Sequence, residues 1–145
     1  MKITIQECPP GAEEEIIIRC KSVDESLLKL IYSLRTGRDK LTVSKGDKIF
    51  QVKPSDIYYF EAVDNKVFAC MEKEVFDTRS KLYELEKQLD NTDFFRASKS
   101  TIINLARVKN ICPAFNGRFE VCMENGEKLI VSRQYVPDLK KKLGL

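Results

Sequence analysis

The side chains that could do acid–base or nucleophilic chemistry are few in this sequence. Histidine is absent, which excludes Ser-His-Asp and Cys-His catalysis as well as histidine-ligated metals. Two carboxylate pairs remain, Glu72 with Glu74 and Glu84 with Glu86, but neither has a positioned partner of the kind that glycosidase chemistry requires. Glycine-rich phosphate-binding loops are also absent. We therefore expect a protein that is not an enzyme and that uses no cofactor.

The cysteines do not indicate a metal site or a disulfide framework. Their number is odd and no two form a C-x-x-C pair. We interpret them as small buried hydrophobic residues in a reducing compartment, with a redox sensor as the alternative. No stretch has the length and apolarity of a signal peptide or a membrane span, so we expect a cytoplasmic protein. The five are Cys8, Cys20, Cys70, Cys112 and Cys122.

Basic side chains are concentrated towards the end of the chain. Residues 1–37 carry 5 basic and 6 acidic side chains, and residues 38–95 carry 10 basic and 12 acidic ones. Residues 96–145 carry 10 basic and 4 acidic side chains, a local net charge of +6 in a chain of net charge +3. Such a region favours contact with a polyanion. The alternative is a solvated C-terminal helix, because three consecutive lysines at 140–142 supply half of the excess.

The first part of the chain, residues 1–37, is predicted to form a β-β-α unit. Residues 1–7 and 15–20 are β-prone and flank a Pro-Pro-Gly turn. Residues 22–25 have the pattern of a capping box, and apolar residues then recur on one face of a helix that Gly37 would end. A unit of this size cannot bury its own apolar faces. We therefore expect it to serve in dimerisation or in contact with a partner.

Residues 38–145 are predicted to form a mainly β domain, so the chain is α+β overall. Eight to ten short strands are expected, with one helix near residues 82–89 and a short final helix beginning at Pro137. Two Asn-Gly dipeptides, at 116–117 and 125–126, indicate hairpin turns. The aromatic residues at 58–60 and 94–95 could be stacking platforms for single-stranded nucleic acid, but strand alternation favours a place in the core.

Four blocks within this domain resemble the LytTR DNA-binding domain family. They follow one another in the family's order and spacing, at residues 57–64, 82–86, 94–105 and 125–135. The third block, Phe-Phe-Arg-Ala-Ser-Lys-Ser-Thr-Ile-Ile-Asn-Leu, is similar to the family's central motif. Ser98 and Lys99 stand where that motif usually has histidine and arginine. At position 99 the compact ammonium of lysine therefore replaces an arginine guanidinium, which can donate two hydrogen bonds to one partner.

The resemblance implies a bacterial transcriptional regulator. Its fold would be an elongated β-sandwich that binds double-stranded DNA through loops and not through a recognition helix. Two loops would enter successive major grooves, with further contacts over the minor groove between them. A homodimer on repeated half-sites is expected, with residues 1–37 in place of the receiver domain that many relatives carry. Short stand-alone relatives are often held by an inhibitory membrane protein, which is therefore a further expected partner.

The resemblance also places individual residues at the DNA. Arginine and lysine donate to guanine acceptors, asparagine pairs with adenine, and serine hydroxyls suit phosphate oxygens. Arg133 is the first choice for base readout and Lys99 the second, whereas Lys66 is assigned to phosphate. The complete set is Asn65, Lys66, Arg96, Ser98, Lys99 and Arg133.

Each assignment has a structural alternative at this stage. Arg133 could cap a helix or pair with Glu127, Asn65 could simply tolerate positive φ in a turn, and Arg96 could anchor its loop through an internal ion pair. Two other functions also remain open. One is an OB-like module for RNA or single strands, and the other is a protein-interaction domain that has lost DNA binding.

Overall fold

The strands that the structure describes all lie in the second part of the chain. The computed structural model describes residues 2–36, 40–90 and 92–145, and the chain divides into two units, residues 1–37 and 38–145. The described residues contain ten strands, which form one seven-stranded and one three-stranded antiparallel sheet. This architecture confirms the mainly β fold predicted for the larger part of the chain.

The first unit contains one helix, α1, at Glu25–Thr36. The backbone N–H of Leu27 donates to Oδ1 of Asp24 at 2.8 Å, so Asp24 caps the helix and the predicted cap, Ser22, does not. The predicted cap at the other end, Gly37, lies outside the described residues. The helix of the β-β-α prediction is therefore confirmed, with its start shifted.

The two strands of that prediction, at residues 1–7 and 15–20, are wrong. No strand forms anywhere in residues 2–24, and Met1 lies outside the described residues. A strand needs a partner for its backbone groups and a cover for its apolar face, and a lone pair of strands is marginal in water. Here the β-branched side chains remain exposed, among them Ile3, Ile5, Ile16 and Ile17.

The second unit places its strands in two sheets, one larger and one smaller. The larger sheet has the order β2-β1-β5-β4-β3-β7-β6, and the smaller sheet has the order β10-β9-β8. Two helices, α2 and α3, complete the unit, and α3 starts one residue before the predicted Pro137. The elements are β1 Leu41–Lys45, β2 Lys48–Val52, β3 Tyr59–Val63, β4 Lys66–Cys70, β5 Val75–Thr78, α2 Leu82–Gln88, β6 Phe94–Arg96, β7 Thr101–Asn104, β8 Val108–Pro113, β9 Phe119–Met123, β10 Lys128–Val131 and α3 Val136–Lys142.

Strand alternation divides the core between the two faces of the larger sheet. Phe60 and Phe94 pack with the leucines of α2 on one face. Phe95, which follows Phe94 in β6, and Ile103 in β7 pack with the smaller sheet and α3 on the other face. Each fully buried side chain of this size contributes roughly 1.5–3 kcal/mol. The aromatic runs are therefore core, as predicted, and not stacking platforms.

A buried asparagine joins the end of β7 to the segment just before β3. Asn104 is 1% exposed, its Nδ2 donates to the carbonyl of Ile57 at 2.8 Å, and its Oδ1 accepts the backbone N–H of Ala106 at 3.0 Å. Both ends of the amide are satisfied, which a buried polar group requires. This contact holds β7 in register. The opposite end of β7, at Thr101, directly follows the loop of residues 97–100.

The hairpin turn between β3 and β4 consists of two residues. Val63 pairs with Lys66, and the two residues between them both have positive φ, 50° at Asp64 and 63° at Asn65. This is the type I′ geometry that suits strand twist. The Asn-Gly dipeptide at 116–117 instead lies in a five-residue loop, because Pro113 pairs with Phe119.

Candidate nucleic-acid interface

Five of the six residues predicted to bind DNA lie on three segments of the second unit, and the sixth, Arg96, is the last residue of β6. We call the three segments the hairpin turn (residues 64–66), the central loop (97–100) and the terminal loop (132–135). Glu61 pairs with Thr101, and the backbone N–H of Ala62 donates to the carbonyl of Ser100 at 2.8 Å. The end of β3 therefore meets the start of β7, which places the hairpin turn and the central loop at the same end of the larger sheet.

The terminal loop joins them although it follows a strand of the smaller sheet. The backbone N–H and the hydroxyl of Ser132 both donate to the carbonyl of Ala97, at 2.9 and 3.3 Å. Arg133 is consequently held beside the central loop that carries Lys99. The hairpin turn is centred two strand spacings from the central loop, about 10 Å away at the usual strand separation.

Arg96 holds the central loop from inside. Its side chain is 16% exposed, and its Nη1 lies 2.8 Å from Oε2 of Glu86 on α2. Nε donates to the carbonyl of Ser98 at 2.6 Å and Nη2 to that of Lys99 at 2.8 Å. The rigid guanidinium fork can make these contacts at once, which a lysine could not. The sequence left open whether Arg96 is a loop anchor or a DNA contact, and these contacts favour the anchor.

The central loop presents Lys99 at its surface. The Ser98 hydroxyl accepts the backbone N–H of Ser100 at 3.2 Å, and the backbone N–H of Ala97 donates to the carbonyl of Thr101 at 2.9 Å. Ser98 is partly exposed and Lys99 is exposed. The loop is thus ordered by its own hydrogen bonds, and the lysine side chain is left available to a ligand.

Three of the candidate basic residues have no acidic partner in the described part of the chain. Lys66, Lys99 and Arg133 are exposed, and none forms an ion pair with another described residue. The predicted alternative, pairing of Arg133 with Glu127, is therefore not observed there. By contrast, Arg107 approaches both Asp56 and Glu124, at 3.7 and 3.5 Å. Uncompensated positive charge on neighbouring loops is what a polyanion-binding surface requires.

The sequence predicted a turn at Asn116-Gly117 but no role at the interface for the loop between β8 and β9, residues 114–118. A Cβ placed on Gly117 would lie 3.1 Å from Cδ and 3.2 Å from Cγ of Arg133, so this loop touches the stem of Arg133. Phe115 is 84% exposed in the same loop, and Arg118 is exposed. The Asn-Gly dipeptide indicated a turn, but its contact with Arg133 depends on how distant segments approach, which no local pattern encodes.

Part of the C-terminal positive charge has a structural role. Nζ of Lys142 donates to the carbonyls of Thr92 and Phe94, at 2.6 and 2.9 Å, and so ties α3 to the start of β6. Nζ of Lys140 lies 5.8 Å from the centre of the Phe119 ring. The alternative prediction of a merely solvated lysine face is therefore wrong for Lys142.

The thiols differ in their surroundings. Three of the cysteines predicted to be buried, Cys8, Cys20 and Cys112, are exposed, and that prediction was wrong for them because they lie outside both cores. Cys70 is buried, and burial raises its pKa to about 11, although a hydrogen bond with Tyr59 acts in the other direction. Burial, followed by the neighbouring thiol, also raises the pKa of Tyr59. The described residues contain no group of three or more acidic or cysteine side chains that could hold a metal.

The chain is similar to a known family of DNA-binding domains in both sequence and fold. The LytTr DNA-binding domain family matches residues 47–144. A solved LytTr DNA-binding domain from Bacillus cereus has the same fold, with a TM-score of 0.71 at 31% sequence identity. The similarity covers 75% of this chain and 100% of that one. None of the helices in residues 2–36, 40–90 and 92–145 is long and apolar enough to cross a membrane.

Curated relatives show the same similarity. The sensory transduction protein LytT of Bacillus subtilis (strain 168) is 31% identical over 92% of this chain, and that of Enterococcus faecalis (strain ATCC 700802 / V583) is 32% identical over 74%. The chain spans only 57% and 44% of these two proteins.

A third relative matches the whole chain. An uncharacterized HTH-type transcriptional regulator of Staphylococcus aureus (strain NCTC 8325) is 30% identical over 100% of this chain and 99% of its own length. Despite that name, strands separate all the α-helices of the described residues, so those helices form no helix-turn-helix pair. The family match over most of the chain, the shared fold and the full-length relative together show that this chain belongs to the LytTR DNA-binding domain family.

Proposed function

We propose that this protein is a bacterial transcriptional regulator that binds double-stranded DNA sequence-specifically through loops, acts in the cytoplasm and catalyses no reaction. The observation that carries the proposal is the set of exposed basic side chains without an ion-pair partner among the described residues, Lys66, Lys99 and Arg133, on three segments. Hydrogen bonds join the terminal loop to the central loop, and the central loop to β3, the strand that leads into the hairpin turn. Membership of a DNA-binding family supplies the ligand that such a surface would take.

The three segments have different roles in this proposal. Arg133 reads a base edge in one major groove, because an exposed arginine can donate two hydrogen bonds to guanine. Asn65 and Lys66 enter the next major groove, where the lysine neutralises a phosphate. The central loop lies between them and contributes Lys99 and the Ser98 hydroxyl. Arg96 acts through that loop and does not touch DNA, since each of its three nitrogens already donates to Glu86 or to a loop carbonyl and its side chain is only 16% exposed.

A homodimer on repeated half-sites belongs to the same proposal. It is supported by the first unit, in which large hydrophobic side chains remain exposed, including Ile3 at 84%, Leu28 at 56% and Leu34 at 46%. Such a surface favours association, either with a second copy or with the expected inhibitory membrane protein. Sedimentation of the full chain, alone and with duplex, tests the dimer. A single copy per duplex at saturation would contradict it.

Selection from a random pool of duplexes at near-physiological salt tests DNA recognition. Wild type should enrich one motif, and Lys99→Ala with Arg133→Ala should not. Lys48→Ala is a control for charge loss, because Lys48 is exposed beside the β1–β2 turn, away from the loops, and the variant loses one of the two positive charges that the double variant loses. We expect each lost phosphate contact to lower the slope of log K against log salt by about 0.9, so Lys66→Ala should change the slope without changing the motif.

The selection also separates the competing functions. If the double variant enriches the same motif as wild type, DNA recognition stands but the assigned residues are wrong. If wild type enriches no duplex, a protein-interaction domain becomes the better interpretation. An OB-like single-strand binder would prefer unpaired pools. The burial of Tyr58, Phe60, Phe94 and Phe95 argues against that function, because stacking on bases needs exposed rings.

A further inference from the structure

The β8–β9 loop contains a glycine that lies directly against the stem of Arg133. Asn116 and Gly117 have φ of 60° and 73°, and the backbone N–H of Ala114 donates to the carbonyl of Arg118 at 2.8 Å, which closes the loop. A Cβ at position 117 would approach Cδ and Cγ of Arg133 to 3.1 and 3.2 Å. These distances are shorter than ordinary carbon–carbon contact, which is about 3.5–4.0 Å. A side chain at position 117 would therefore require the arginine stem to shift by a few tenths of an ångström.

Arg133 is restrained at its backbone as well as at its stem. The preceding residue, Ser132, is bound to the carbonyl of Ala97 through both its N–H and its hydroxyl. With the backbone held there, a displaced stem cannot be accommodated by moving the terminal loop. The change passes instead into the side-chain torsions and so moves the guanidinium at the end of the side chain. Recognition of a base edge by a bidentate arginine depends on that position.

We propose that Gly117 is a positioning residue for Arg133: the missing side chain at 117 leaves the space through which the arginine reaches DNA. The inference rests on the proposed function, in which Arg133 reads a base. It extends that function to a loop that makes no base contact of its own in the proposal. The sequence specificity of Arg133, which follows β10, then depends on a residue in the loop between β8 and β9.

The test compares glycine variants by their affinity for the selected duplex. Gly117→Ala should weaken binding about 3- to 10-fold, the range expected when a side chain is forced off its preferred rotamer. Gly126→Ala is the matched control, because Gly126 also has positive φ, 89°, but has no atom within 4 Å of an added Cβ. It carries the same kind of backbone strain without the contact and should change affinity less than about 2-fold.

A double-mutant cycle separates positioning from general damage. In the Arg133→Ala background, Gly117→Ala should cause no further loss, because the side chain that it displaces is already gone. Both single variants should relax the preference at the same base pair. Gly117→Asn adds the Cβ while tolerating positive φ, so it should weaken binding like alanine with less loss of thermal stability.

Several outcomes would overturn the inference. Gly117→Ala binding like Gly126→Ala would show that the contact does not direct Arg133. An additive loss in the Arg133→Ala background would show that the loop acts in its own right. If Arg133→Ala loses affinity while Gly117→Ala and Gly117→Asn keep it, the positioning role fails and the proposed function stands. If Arg133→Ala binds like wild type, or wild type binds no duplex, the proposed site fails and the inference with it.

Discussion

Replacing Glu86 by alanine asks whether Arg96 anchors the central loop or contacts DNA itself. The two roles predict changes of opposite sign. If Arg96 is a DNA contact restrained by Glu86, removal of the carboxylate frees a cation, removes a negative charge near DNA and raises affinity. If Arg96 is an anchor, the same change loosens the loop that presents Lys99, and affinity for the selected duplex falls.

The magnitude follows from the geometry. The Glu86 side chain is 50% exposed and its single contact with Arg96 is 2.8 Å long, so solvent screens the pair. Such pairs are worth about 0.5–1 kcal/mol, which corresponds to a loss of affinity of about 2- to 5-fold. Arg96→Ala also removes the bonds to the carbonyls of Ser98 and Lys99 and should cost about 2–4 kcal/mol of loop stability.

Fluorescence anisotropy with the selected duplex at fixed salt measures this change. Glu84→Gln is the control, because it removes the same charge from the same helix while its amide oxygen can still accept the backbone N–H of Lys81, which Glu84 accepts at 3.1 Å. We expect Glu86→Ala to bind more weakly than Glu84→Gln. Tighter binding by Glu86→Ala, or equal binding by the two variants, would refute the anchor role.

Three further predictions concern stability, thiol chemistry and the hairpin turn. Asn104→Ala should lower the free energy of unfolding, measured by urea titration, by about 1–3 kcal/mol, because the carbonyl of the fully buried Ile57 loses its hydrogen-bond donor. An unchanged urea midpoint would contradict this prediction. At pH 8 the buried Cys70 thiol should be alkylated far more slowly than the exposed Cys20 thiol, and it should react readily only as the pH rises towards its raised pKa of about 11. Equal alkylation rates of the two thiols, measured by mass spectrometry, would disprove this prediction. Asn65→Gly should keep thermal stability, since glycine suits the φ of 63° at this position, but it should weaken DNA binding if the Asn65 amide reads a base. Unchanged affinity for the duplex would leave Asn65 as a turn residue only.

Local patterns predicted the second unit well because its strands satisfy local and tertiary preferences together. β-branched and aromatic alternation located the strands, and the same alternation explains why Phe94 and Phe95 enter opposite cores. The first unit shows the limit of such patterns. Residues 15–20 are as β-prone as any strand in the chain, but a strand also requires a partner, and local sequence does not supply one.

The sequence by itself determined the fold class, the family resemblance and the residue types that could recognise DNA, because all three depend on residue identity and spacing along the chain. Only the tertiary structure decided which of those residues are available to a ligand. Lys99 and Arg133 are exposed, whereas each guanidinium nitrogen of Arg96 donates to Glu86 or to one of two carbonyls. The lack of room for a side chain at Gly117 likewise arises only because this loop and the Arg133 stem, which are distant in sequence, lie close together, and local sequence does not encode such packing.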